Sequence, residues 1–71
     1  MDNVPKDAAL LRKARLEAGL TVREVATASG LSEDSIRDAE RRGVRNVRVS
    51  RVSKLCKALG VNIDALAVAT R

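Results

Sequence analysis

Residues 21–42, TVREVATASGLSEDSIRDAERR, read as two short helices joined by a tight turn. Thr21 is a good N-cap, and Glu24, three residues on, completes a capping box. Val25, Ala26 and Ser29 then share one face, and Gly30 stands where a helix ends on a left-handed residue. Leu31 is apolar in the turn. Ser32 caps the second helix, which carries Ile36, Ala39 and Glu40 at i, i+3 and i+4 on one face. That second helix is expected over residues 33–42, with Gly43 as its stop.

Outward from this pair the pattern remains helical. Pro5 suits a first helical turn, and residues 1–5 ahead of it are expected to be loose. The first helix runs to about Ala18 and stops at Gly19, with Leu11, Ala14, Arg15 and Ala18 on one stripe and Leu10 beside it. On the other side, Val44 to Arg48 is a basic loop. A helix begins near Val49 or Ser50, carries Val49, Val52, Cys56 and Leu59 on one stripe widened by Leu55, and ends at Gly60. Asn62 can cap a last helix, Ile63 to about Thr70, with Leu66 as its inner anchor. The expectation is an all-α fold of five short helices in a single domain spanning residues 1–71.

Composition removes several classes of function. Seventy-one residues bury one small core and no sizeable cavity. With no Phe, Trp or Tyr, the core is aliphatic, and base stacking on aromatic platforms is excluded. One cysteine and no histidine leave no intrachain disulfide, no zinc site and no histidine base. Cys56 lies in an apolar stripe and reads as core. No nucleophile and base are set together, so an enzyme is not expected, nor a cofactor or a metal. No apolar run reaches the roughly 18 residues that a membrane span needs, and the N-terminal residues are too polar for a secretory signal. A reducing, cytoplasmic compartment is expected.

Charge is more informative by position than by sum. Lys and Arg number 14 against 9 acids, a net charge of +5. Residues 41–57 hold Arg41, Arg42, Arg45, Arg48, Arg51, Lys54 and Lys57 and no acid, whereas residues 33–40 hold Glu33, Asp34, Asp38 and Glu40 against Arg37 alone. A block of one sign suggests a polyanionic partner, set against the plainer reading of a solvated face. Arg15 and Glu40 both fall on inward stripes. They either pair across the first and third helices, since an unpaired buried charge costs several kcal/mol, or extend to the surface as snorkelling side chains.

These residues together resemble the Xre and Cro family of phage and bacterial repressor domains, which contain a helix-turn-helix. The resemblance covers about Leu10 to Leu66. It rests on Leu11, Arg15, Gly19-Leu20, Thr21, Glu24, Ala26, Gly30-Leu31-Ser32, Ser35-Ile36, Glu40 and Asn46, then Leu55 to Val61 as LCKALGV and Ile63-Asp64-Ala65-Leu66. It implies a compact, repressor-like helical domain whose third helix enters the major groove, and a buried salt bridge at Arg15 and Glu40. The chain departs from the family pattern in placing both Arg41 and Arg42 ahead of Gly43, in following Asn46 with Val47 rather than proline, and in having Val22 and Arg23 where a glutamine is common.

The resemblance places base contacts near the start of the third helix. The expected base-reading residues are Ser32, Glu33, Asp34, Arg37 and Asp38. Arg37 suits a bidentate contact to guanine and an acid suits the cytosine amino group. The opposing reading is that the acids only build the helix: Glu33 and Asp34 gain about 0.3–1 kcal/mol each from the helix dipole, and Asp34 and Asp38 have ion-pair spacing to arginines. The expected phosphate-binding residues are Arg23, Ser35, Arg41, Arg42, Arg45 and Arg48. The expected partner is double-stranded DNA carrying a palindromic operator, bound by a weak homodimer formed through the C-terminal helix; Val61, Ile63, Ala67 and Val68 either make that symmetric contact or complete the monomer core. The leading function is a sequence-specific transcriptional regulator, a Cro-like repressor. The alternatives are a protein-binding module such as an antitoxin or anti-regulator, suggested by the acids of the third helix, and an architectural or recombination-directing DNA binder.

Overall fold

The computed structural model describes residues 4–69. Five helices follow one another: α1 (Lys6–Glu17), α2 (Val22–Ser29), α3 (Glu33–Arg42), α4 (Val49–Leu59) and α5 (Ile63–Ala69). No strand occurs among the described residues, and none of their helices is long and apolar enough to cross a membrane. Of the N-terminal stretch expected to be loose, residues 1–3 lie outside the described residues. Val4 and Pro5 are exposed and non-helical. The expected end of the last helix at Thr70 also lies outside.

The local signals act as the sequence suggests. The Thr21 hydroxyl accepts the Glu24 N–H at 3.1 Å, and the Glu24 carboxylate accepts the Thr21 N–H at 2.9 Å, so the capping box is complete. Ser32 caps α3 by accepting the Ser35 N–H at 3.1 Å. Asn62 accepts the Asp64 N–H at 2.9 Å at the start of α5. Gly30 ends α2 at φ 76°, a conformation that side chains with a Cβ adopt at a cost.

The core is aliphatic and draws on every helix. Leu11 of α1, Val25 of α2, Ile36 of α3 and Leu66 of α5 are fully buried, and Val52, Leu55, Cys56 and Leu59 supply the face of α4. Val44, in the loop after α3, is buried with them. Helix α1 lies against α3, α4 and α5, while α2 packs between α3 and α4. Two stripe positions differ from expectation. Val49 is 74% exposed, because it sits in the first turn of α4 at the edge of the stripe, where no helix lies over it. Ala18 is exposed as the C-cap of α1, already past the last helical turn.

Candidate nucleic-acid interface

An ion pair on its inner side ties the third helix to the first, beside the buried Ile36 and Ala39. The Arg15 Nε donates to Glu40 Oε2 at 2.7 Å and its Nη2 donates to Glu40 Oε1 at 3.1 Å, while Nη1 donates to the Leu20 carbonyl at 2.9 Å. One guanidinium thus ties α1 to α3 and to the residue that leads into α2. The hydrogen bond to Glu40 holds the Arg15 pKa above its ordinary value, against the opposing cost of burial. The snorkelling alternative is set aside by this geometry.

The outer side of α3 carries Glu33, Asp34, Arg37, Asp38, Arg41 and Arg42, and its charges are paired among themselves. Arg37 bonds Glu33 at 3.0 Å and lies 3.7 Å from Asp34. Asp38 lies 3.4 Å from Arg42 and 3.9 Å from Arg41. Such exposed pairs at i, i+3 and i+4 are worth about 0.2–0.5 kcal/mol each, so a ligand can exchange them cheaply. Ser32 and Ser35 share a hydrogen bond between their hydroxyls at 2.9 Å at the start of the helix.

Six cations outside α3 stand without an acidic partner among the described residues: Arg23, Arg45, Arg48, Arg51, Lys54 and Lys57 form no ion pair there. The structure divides the expected phosphate-binding set. Ser35, Asp38, Arg48 and Arg51 line one cleft between α3 and α4, with Asn46 and Val47 of the connecting loop. Arg45 turns to the other side of that loop and lines an apolar groove with Val49, Val52, Ile63 and Ala67. Arg41 and Arg42 stay beside Asp38 on α3. Arg23 lies exposed in the first turn of α2, apart from both lined surfaces. Arg51 and Asn46 were not in the expected set; their cleft position depends on how the loop folds, which no local spacing encodes.

One further residue carries no such local signal. Asp7 is buried, and its carboxylate accepts the Val44 N–H at 2.7 Å and the Ala8 N–H at 3.0 Å. In sequence it reads as an ordinary acid in a first helical turn. The lone thiol, Cys56, is buried, and burial pushes its pKa up.

Residues 11–66 match the helix-turn-helix family. Among solved structures the chain is similar to the clp gene regulator ClgR from C. glutamicum, with 30% identity and a TM-score of 0.75 over 93% of this chain and 84% of that one. It is also similar to the restriction-modification controller protein C.AhdI from Aeromonas hydrophila, with 34% identity and a TM-score of 0.77 over 87% of this chain and 92% of that one. A variant of the restriction-modification controller protein C.Esp1396I is 28% identical at a TM-score of 0.77, over 90% of this chain and 82% of that one. No curated protein sequence is a significant match.

Proposed function

The chain belongs to the helix-turn-helix family and is a DNA-binding transcriptional regulator, and we propose that it recognises a specific operator with α3 in the major groove and acts as a Cro-like repressor. The observation that supports this reading is the distribution of free charge. The acids on the outer side of α3 are balanced by arginines of the same helix, and unpaired Arg48 and Arg51 border the cleft beside it. Cations flanking a reading helix contact phosphates and fix its register, while the helix itself meets base edges.

In this reading Arg37 leaves Glu33 and Asp34 to donate to guanine O6 and N7. The released acids then accept from the amino group of cytosine or adenine. Asp38 and Ser32 complete the base-facing set. Ser35, Arg48, Arg23, Arg41 and Arg42 serve the backbone, and Arg45 reaches a phosphate on the α5 side of the loop. Two copies read a palindromic operator through a weak contact made by α5. Ile63 and Val68 are exposed there, and Val49 adds to the apolar surface. The protein-binding alternative drew on the acids of α3, which have arginine partners and leave little free negative charge for a partner to meet.

Selection of bound sequences from a random duplex library tests the proposal. The expected result is one enriched half-site, repeated in inverted orientation about a helical turn away. Enrichment of no sequence, with an affinity indifferent to salt, would refute DNA recognition. An enriched but unrepeated site would refute the dimer alone.

A further inference from the structure

We propose that Asp7 is a positioning residue for DNA binding: its buried carboxylate fixes the start of the loop that carries Arg45 and Arg48, and so the direction in which those cations are presented. The inference rests on the DNA-binding reading above and adds to it a residue at the far end of α1.

Asp7 is the only buried charged residue among the described residues, at 3% exposure, and no cation pairs with it there. Removing a carboxylate from water without a cation costs several kcal/mol unless hydrogen bonds compensate. Two do. The bond from Ala8 N–H, at 3.0 Å, lies within the first turn of α1, where the helix dipole also favours an acid. An exposed acid at that position gains the same. Burial serves the second bond, from Val44 N–H at 2.7 Å, which spans 37 residues of sequence.

The chain around Val44 is shaped to this contact. Gly43 stands at φ 83°, ψ −170°, a region that is essentially restricted to glycine. A Cβ at Gly43 would overlap the Asp7 carboxylate. The Val44 carbonyl then accepts the Val47 N–H at 3.1 Å, which passes the constraint along the loop to Arg48, the N-cap of α4. Arg45 and Arg48 are both exposed on the segment held in this way. A loop anchored at its first residue presents its cations with less ordering cost on binding, which is how preorganisation raises affinity.

The test is Asp7→Asn in the full chain. In asparagine one of the two positions becomes an NH2 donor facing an N–H, and the remaining oxygen is neutral, so the Val44 contact is lost if the amide nitrogen faces it and weakened if the oxygen does. The selected duplex is expected to bind about tenfold more weakly, with the slope of log K against log salt shallower by about 0.9–1.8 as one or both loop cations leave the phosphates. Hydrogen exchange at the Val44 amide is expected to accelerate. Leu59→Ala, a core truncation at the opposite end of α4, serves as the control, with each protein measured where it is fully folded. It is expected to lower stability and leave the slope unchanged. Gly43→Ala crowds the same carboxylate from the loop side and is expected to reproduce the shallower slope if Asp7→Asn does not fold.

A folded Asp7→Asn with wild-type affinity and slope would overturn the proposal while leaving DNA recognition intact, as would an equal change of slope in Leu59→Ala. A wild-type protein lacking salt-dependent affinity would instead overturn the DNA-binding reading, and this inference with it.

Discussion

Replacing Glu40 by leucine tests how much of the fold depends on the pair that joins α1 to α3. The substitution leaves the Arg15 guanidinium with the Leu20 carbonyl as its remaining protein partner. The two side chains are only 12% and 10% exposed, so water replaces the lost carboxylate poorly. Breaking such a pair costs about 3–5 kcal/mol, and the lower figure applies here because the site is not fully dry. A chain of this length has a total stability of about 4–11 kcal/mol at 0.05–0.15 kcal/mol per residue. A loss of about 3 kcal/mol lowers Tm by about 12–24 °C in a domain of this size. The double variant Arg15→Met with Glu40→Leu removes both charges and is expected to recover most of that loss, since apolar replacement of a buried pair is often neutral or stabilising. With no aromatic residue in the chain, helical circular dichroism during heating is the suitable assay. A Tm lowered by less than about 4 °C in the single variant, or a double variant no more stable than the single one, would refute the reasoning.

Arg37→Ala is expected to weaken the selected operator by about 1–3 kcal/mol and to relax preference at one base pair, read by repeating the duplex selection; an unchanged selected sequence removes Arg37 from the reading set. Arg48→Ala is expected to weaken all duplexes alike and to make the salt slope shallower by about 0.9, and a wild-type slope in a salt titration would place Arg48 off the backbone. Thr21→Ala deletes the hydroxyl that accepts Glu24 N–H and is expected to cost about 1 kcal/mol in urea denaturation. Burial raises the Cys56 thiol above its ordinary 9.0, so the unfolded chain ionises first. The thiol's contribution to stability is complete below pH 9.0 and declines as pH rises through the raised value in the fold. The stability gap between wild type and Cys56→Ala is therefore expected to hold steady at neutral pH and to narrow in alkali; a gap constant into the alkaline range would contradict it.

Short-range chemistry made much of this molecule legible from its sequence. Caps, glycine stops and i, i+3, i+4 spacing lie within one or two turns, so the capping box at Thr21 and Glu24 and the limits of α3 follow from neighbouring residues. Arg15 with Glu40 was also readable, because two charges on inward stripes have few solutions other than each other. Asp7 was not. Its position in a first helical turn already has a sufficient local explanation, and its partner is a backbone N–H, which carries no side-chain signature. Val49 fitted the periodicity of α4 but lies where no neighbouring helix covers that stripe. The cleft residues Asn46 and Arg51 depend on the path of the loop from Gly43 to Arg48, which the backbone at Gly43 and the Asp7 contact determine together.

The acids on α3 raise a question that its ion pairs help to answer. On a helix docked in a groove between phosphates, carboxylates that meet no hydrogen-bond donor are repelled. Here Glu33 and Asp34 flank Arg37, and Asp38 lies beside Arg41 and Arg42. Separating Arg37 from both of its acids costs about 0.4–1 kcal/mol at about 0.2–0.5 kcal/mol per exposed pair, whereas a good bidentate contact of arginine to guanine discriminates by about 1–3 kcal/mol. Under the proposed docking, the exchange is favourable where guanine receives Arg37 and an amino-bearing base receives the released acid. On other sequences the pairs stay closed and the helix adds little attraction. Nonspecific affinity then falls to the unpaired cations beside α3, chiefly Arg48 and Arg51 in the cleft. Affinity and discrimination are thereby assigned to different residues, and the paired acids restrict the reading helix to sequences that satisfy both signs of charge.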